Sequence, residues 1–252
     1  MNICLFEPSE IGLPLDLGDQ RAAHILKVLH KGEGDAFFAG VIGGQAGRAL
    51  ITRIERDAGS SHKGSLFFEF TPESDGSRLF PLTMIVGFPR PVQLRRILRE
   101  MSSLGVAAIH LAATDLGEKS YLSSSLATKS AARSYLIEGA MQAGSTHISE
   151  LFIHSSLDEC LDVVQVDKGT GCALLALDNV TPSQSLPRAL KPTPREVVAA
   201  VGSERGWTER ERCLLRKRGF DLVGLGKRVL RTESACVAAA ALILSAMGHF
   251  ES

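Results

Sequence analysis

Residues 197–247 constrain this chain more than any other stretch, because two strand-like runs there each lead into a glycine turn and then a helix. Residues 197–201 are a short β-branched and alanine run that stops at Gly202, as a buried strand does before a sharp bend. Thr208 followed by Glu211 is a capping box. It predicts a helix running to about Arg218, with Gly219 as its stop. Residues 221–225 read as the next strand, with Gly224 and Gly226 bracketing Leu225. The helix expected from Ala235 to Met247 is apolar nearly all round, which predicts that it is buried. If both strands belong to one parallel sheet, the two turns open on its carboxyl edge, where ligands of α/β proteins sit. Gly202, Gly206, Gly224 and Gly226 then either offer bare backbone groups to a shared ligand or serve as ordinary turn glycines.

The rest of the chain supplies the sheet. Residues 79–88 form a continuous apolar run suited to burial on both faces, and Pro91 opens a helix with Leu94, Ile97, Leu98 and Met101 on one side. Gly105 closes it before a strand at 106–112. The same order repeats through a helix near 126–143 and strands around Leu151 and Ala173, which predicts a parallel sheet covered by helices. Residues 174–177 end in Asp178-Asn179, so a third strand delivers a turn to the same edge. The loops 177–182, 202–207 and 224–231 are thereby expected to enclose one ligand.

The N-terminal quarter reads differently. Residues 1–6 alternate like a short strand, and Asp19 begins an amphipathic helix carrying Ala22, Ile25, Leu26 and Leu29. Strands are expected at 35–41, 46–55 and 65–71, separated by Gly43-Gly44 and Gly59-Ser60-Ser61 turns. The polar tract 72–77 places a domain boundary near residue 76, dividing a small β-rich domain, 1–75, from an α/β domain, 76–252.

With 252 residues there is ample length for a core. Lysine plus arginine equals aspartate plus glutamate at 28 each, so no global charge announces a nucleic-acid partner. Residues 195–233 nonetheless carry 10 basic and 6 acidic side chains, against 7 and 11 in residues 1–75. Arg210, Arg212, Arg216, Lys217 and Arg218 thus read either as a phosphate-contacting face or as a solvated helix face. The five cysteines are dispersed, and no CxxC pair or nearby histidine gives metal-ligand spacing. The expectation is a reduced cytoplasmic protein with no metal site. Glu7 and Pro8 interrupt any secretory pattern, and the longest apolar run is too short to span a bilayer. The Gly224-Leu225-Gly226 turn has Val229 where a dinucleotide fingerprint needs glycine, and neither a Walker loop nor a GxSxG elbow is present.

The segments VGSERGWTERE and LGKRVLRTESA resemble the paired signature of the RsmE-type methyltransferases, GPEGGFSxxE and LGxRILRTETA. These are small-subunit ribosomal RNA uridine-N3 methyltransferases of the knotted SPOUT class. The second half matches at nearly every position; the first has Ser203 in place of proline and Arg205 in place of glycine. HILKVLHKGEGD resembles the HLxxVLRxKxGD element of the family's PUA-like N-terminal barrel. IEGAMQAGS resembles IEAAEQSGR, with Met141 for glutamate and Ser145 for arginine, while Glu138 and Gln142 match and lie four apart on one helical face.

The resemblance implies S-adenosylmethionine held bent by backbone groups of a trefoil knot, with a homodimer acting on 16S ribosomal RNA through the RNA-docking barrel. Backbone selection of adenine needs no particular side chains, which suits a motif of glycine and leucine. Leu177, Gly202, Gly206, Leu225, Gly226 and Leu230 are the expected cofactor positions. Uracil N3 must lose a proton as negative charge spreads to its carbonyl oxygens, so a base or hydrogen-bond donors would lower the barrier. Arg231 and Arg228 can supply donors or clamp a phosphate. Glu204 and Glu233 are the carboxylates nearest the loops; either can be the base, orient an arginine or cap a helix. Arg95 and Arg96, on the polar side of the helix after Pro91, are further expected RNA contacts. A noncatalytic RNA-binding or ribosome-assembly protein on the same scaffold is the rival reading, kept open by Ser203, Arg205, Met141 and Ser145. A knotted methyltransferase with another RNA target is a second rival.

Overall fold

The computed structural model describes residues 2–57, 63–123, 128–164 and 171–251. The expected Gly59-Ser60-Ser61 turn, and the start of the helix expected near 126, lie outside them. The chain divides into two compact units, Met1–Arg78 with Ala140–Ile148, and Leu79–Gly139 with Ser149–Ser252.

The first unit contains β1 (Cys4–Phe6), β2 (Leu15–Asp16), α1 (Gln20–Ala23), β3 (Ala36–Val41), β4 (Ala46–Arg56) and β5 (Gly64–Ser74). Its sheet has the order β1-β3-β4-β5-β2, parallel at β1/β3 and antiparallel elsewhere. Phe6, Ile25, Phe37, Ile51, Leu66 and Phe68 fill its interior. Asp19 caps α1 by accepting the Arg21 amide at 2.7 Å. One turn later the helix widens into a π turn, His24–Val28, where the Leu29 amide reaches back to the His24 carbonyl at 2.9 Å. That wider turn rotates the succeeding residues off the buried stripe. Leu29, expected in the core, is therefore 40% exposed.

Residues 140–148 join this unit through backbone and side-chain hydrogen bonds. The amides of Asn2 and Ile3 donate to the Met141 carbonyl at 2.9 and 3.2 Å, Gly43 donates to Thr146, and the Thr146 hydroxyl donates to the Gly44 carbonyl.

The second unit contains β6 (Phe80–Gly87), α2 (Pro91–Ser103), β7 (Val106–Ala112), α3 (Lys129–Ala143, its last residues counted with the first unit), β8 (Glu150–His154), α4 (Leu157–Val163), β9 (Cys172–Leu177), β10 (Gln184–Ser185), α5 (Leu186–Ala189), β11 (Glu196–Val201), α6 (Glu209–Lys217), β12 (Asp221–Gly224) and α7 (Thr232–Ala246). Its sheet runs β10-β12-β9-β11-β6-β7-β8, parallel throughout. Leu94, Ile97, Leu98 and Met101 of α2 are fully buried, as their spacing predicts. Thr208 and Glu211 form the expected capping box of α6. The elements α4, β10 and α5 have no counterpart among the sequence expectations; each is seven residues or fewer, too short to display a period.

One expectation about a helix changes. On α7, Cys236, Ala239, Ala240, Ile243 and Leu244 are buried, but Leu242 is 41% exposed, so burial covers one side and not the whole circumference. Glu138 and Gln142 on α3 are exposed, and Glu138 pairs with Arg99 at 3.5 Å.

Candidate active site

Register brings the three expected bends together. Leu177 of β9 pairs with Val201 of β11 on one side and with Val223 of β12 on the other. The three strands end in one row, and the loops beyond them form a cleft of about 180 Å³. Its walls come from Leu177–Asn179, Val201–Gly206, Leu225–Gly226 and Arg228–Leu230, with Thr232 and Ala235 of α7 behind.

Each loop is held by a different device. After β9, the Asp178 carboxylate accepts the Thr181 amide at 2.6 Å and pairs with Arg212 of α6 at 3.1 Å, both side chains nearly excluded from solvent. A buried charge of either sign is costly unless so paired. After β11, Trp207 is buried and its indole N–H donates to the Leu177 carbonyl at 2.9 Å, tying the second bend to the first. The bend closes on itself where the Gly206 amide donates to Ser203. A Cβ on Gly202 would stand 3.0 Å from the Gly206 carbonyl carbon, and Gly206 itself has φ +72°. After β12, Gly226 turns at φ +98°, a region open to glycine at little cost. Gly206 and Gly226 are thus favoured by the shape of the bends, and Gly202 by its tight contact with Gly206, whatever ligand they face.

All six expected cofactor positions, Leu177, Gly202, Gly206, Leu225, Gly226 and Leu230, line this cleft, as do Glu204 and Arg228. Glu204 accepts the Arg90 amide at 2.9 Å, immediately before α2. Arg231 is the exposed N-cap residue of α7, and Glu233 lies half-buried in its first turn; neither is among the lining residues. Arg95 and Arg96 are on α2, away from the cleft walls; Arg95 lies over the Tyr135 ring at 5.7 Å.

The basic stripe of α6 is occupied. Arg210 pairs with Asp115 and Asp158, Arg212 with Asp178, Arg216 with Glu209, and Arg218 with Asp162. Hydrogen bonds from Arg210 hold the Asp115 carboxyl below its ordinary range. All four arginines have carboxylate partners, but only the Arg212 pair is buried; the other three lie at the surface. Sequence composition showed the charges but not their partners, which, apart from Glu209, lie 34 to 95 positions away.

Cys4, Cys160 and Cys236 are buried, Cys172 is half-buried and Cys213 is exposed. Burial pushes the Cys4, Cys160 and Cys236 thiols up to about 12 and Cys172 to about 11. Sequence spacing gave no metal ligands, yet the fold gathers His110, His154 and Cys160, with ligand atoms within 4.8 Å of one another. The two histidines are 44 residues apart, so no local motif signals the group.

A parallel sheet with a cleft of loops at its carboxyl edge is the layout in which α/β proteins hold ligands. Residues 76–244 match the RNA methyltransferase domain family. The chain is 40% identical over 250 residues to ribosomal RNA small subunit methyltransferase E of Treponema pallidum, covering 97% of this chain and 91% of that one. It is 29% identical over 249 residues to ribosomal RNA small subunit methyltransferase E 1 of Borreliella burgdorferi, covering 97% and 98%. Among solved structures, the Neisseria gonorrhoeae methyltransferase E bound to S-adenosyl methionine superposes with a TM-score of 0.74 at 22% identity, over 97% of both chains. This chain belongs to the RNA methyltransferase family that includes ribosomal RNA small subunit methyltransferase E.

Proposed function

We propose that this chain transfers a methyl group from S-adenosylmethionine to N3 of a uridine in small-subunit ribosomal RNA. The observation that carries the reading is the convergence of three backbone bends in one cleft whose walls fit a backbone-held cofactor. A Cβ on Gly202 would crowd the Gly206 backbone at 3.0 Å, and Gly206 and Gly226 adopt left-handed conformations, so bare main chain forms part of the wall. Leu177, Gly202, Gly206, Leu225, Gly226 and Leu230 would hold the cofactor, which supplies an electrophilic methyl group when bound.

The remaining roles fall to residues around the mouth. Arg228, on the cleft wall, and Arg231, beside it in sequence, are the donors for the uracil carbonyl oxygens or a neighbouring phosphate. Glu204 and Glu233 are the candidates for the group that takes the N3 proton. Glu204 stands on the cleft wall with one oxygen engaged by the Arg90 amide; Glu233 stands in the first turn of α7. Arg95 and Arg96 on α2 are further RNA contacts, both exposed.

Residues 1–75 serve as a PUA-like RNA-docking domain and 76–252 as a trefoil-knotted SPOUT domain. The tight passage of Gly87 against the bend after β11, where a Cβ would meet the Ser203 amide at 2.4 Å, supports a threaded backbone. A homodimer is supported by apolar side chains left exposed on α2 and α7, including Val92 at 57% and Leu242 at 41%. Protonated, buried thiols suit the reducing cytoplasm.

Calorimetric titration with S-adenosylmethionine tests the cofactor, and comparison of modified nucleosides in ribosomal RNA with and without the gene tests the target. Saturable binding and loss of 3-methyluridine are expected. No heat and no thermal shift would favour a noncatalytic RNA-binding protein; loss of a different nucleoside would redirect the target. Arg231→Ala is expected to lower turnover by about 100-fold or more, the scale of losing an oxyanion donor, at unchanged melting temperature. Equal loss of turnover and stability would return Arg231 to a structural role.

A further inference from the structure

Away from the cleft, β7, β8 and α4 enclose three side chains that methyl transfer does not use. His110 and His154 sit on neighbouring parallel strands, and Cys160 lies on α4, all three buried. The His110 Nδ1 and His154 Nε2 atoms are 2.9 Å apart. The His110 ring stacks on Phe152 at 4.5 Å and on His154 at 5.1 Å with only 3° between the two imidazole planes. A hydrogen-bonded imidazole pair explains two of these residues. It does not explain a thiol sulfur placed within 4.8 Å of a ring nitrogen of each histidine.

We propose that His110, His154 and Cys160 form a binding site for a thiophilic d10 cation, Zn2+ or Cu+. Two imidazoles and a thiolate match the preferences of these ions, and closed-shell ions accept a three-donor set without a geometric penalty from d electrons. With bonds of about 2.0–2.1 Å to nitrogen and about 2.3 Å to sulfur, neighbouring donors around such an ion stand roughly 3.3–3.7 Å apart. The observed 2.9 Å nitrogen pair and 4.8 Å outer limit bracket that spacing. Binding requires the rings to part slightly and the sulfur to move in.

The surroundings of His154 point the same way. Its other ring nitrogen, Nδ1, faces the Glu159 carboxylate at 4.0 Å. That is beyond hydrogen-bond reach, and the carboxylate would fix the tautomer of a ligating His154 only after closing by about 1 Å. Glu159 is itself positioned, accepting the Ser155 amide at 2.8 Å. A surface cleft lined by Ser155, Ser156 and Leu157 abuts the same segment, about one helical turn before Cys160.

On binding, the proton between the two rings moves to the far nitrogen of its own ring, so both imidazoles stay neutral and both facing nitrogens present lone pairs. The S–H bond of Cys160 breaks as the metal–sulfur bond forms, and one proton leaves to solvent. Neither ion changes oxidation state. Bound there, the ion would pin α4 to the edge of the sheet.

The test uses the full-length protein, stripped with a chelator and titrated with Co2+ as a spectroscopic probe, then with Zn2+ and Cu+. One equivalent of Co2+ is expected to produce a thiolate-to-metal charge-transfer band, with one proton released, and Zn2+ or Cu+ is expected to displace it. The ion that copurifies with the protein before chelation, read by elemental analysis, is the resident one, since cellular loading follows metal availability and not raw affinity. Cys160→Ser should abolish the band while Cys213→Ser, at the exposed cysteine, leaves it intact. Glu159→Gln, which preserves all three donors, should weaken binding about 10-fold, the lower end for a group behind a ligand, since its side chain is half exposed. Absence of the band in the unmodified protein, or its persistence in Cys160→Ser, overturns the site. The unmodified protein decides the matter even if a variant fails to fold.

Discussion

Arg212 and Asp178 show how much can rest on one pair. Neither side chain has meaningful access to water, and Asp178 forms part of the cleft wall. Arg212→Met strands a buried carboxylate and is expected to lower unfolding free energy by about 3–5 kcal/mol, read from urea denaturation. Adding Asp178→Asn should recover part of that loss by removing the stranded charge. A second cluster links Arg21 to Glu10 at 2.6 Å and to Asp19 at 2.7 Å. The Arg21 hydrogen bond draws Glu10 below its ordinary 4.5. Burial alone would raise Asp19, but its bonds to Arg21 outweigh that and leave it below 3.8. Carboxylates with lowered values bind protons less readily folded than unfolded, so their contribution is complete above pH 4.5 and is lost as pH falls through the lowered folded values. Melting temperature is expected to fall below that point less steeply in Arg21→Met than in the natural chain. At this scale the sequence displayed the residue types and hid the pairings. The capping box of α6 was legible because its partners are three residues apart; Arg212 and Asp178 are separated by 34.

Among the elements, long ones with a clear period were readable. The helix at Pro91–Ser103 and the strand at Val106–Ala112 follow from spacing, glycine and proline alone. The π turn after α1 was not, since a one-residue widening leaves the hydrophobic pattern almost unchanged. Close packing between helices was also invisible. Gly139 in α3 faces the Arg99 carbonyl oxygen of α2, which a Cβ would approach to 2.2 Å. Alanine at that place gains about 1 kcal/mol of helix propensity. The overlap outweighs this, and Gly139→Ala is expected to destabilise by about 1–3 kcal/mol in thermal or chemical unfolding. A neutral or stabilising result would mean that α3 and α2 can separate without cost.

For the molecule as a whole, the exposed apolar side chains of α2 and α7 bear on assembly. If α7 packs against a second copy, Leu242→Glu should convert a dimer to a monomer in sedimentation experiments with helix content unchanged. A natural chain that sediments as a monomer would remove the dimer from the proposal. The alternation of strand, helix and glycine turn determined by itself that the C-terminal part is a parallel α/β sheet, because hydrophobic period and turn chemistry are local properties. The resemblance of LGKRVLRTESA to a methyltransferase signature likewise needed only neighbouring residues. That the bends after residues 177, 201 and 224 share a cleft was expected from the strand and turn order; the order of the strands, with β9 between β11 and β12, was decided by the fold. The partners of the α6 arginines and the meeting of His110, His154 and Cys160 were decided the same way. Contacts of that kind depend on how the chain returns to itself, and a linear pattern carries no record of the return.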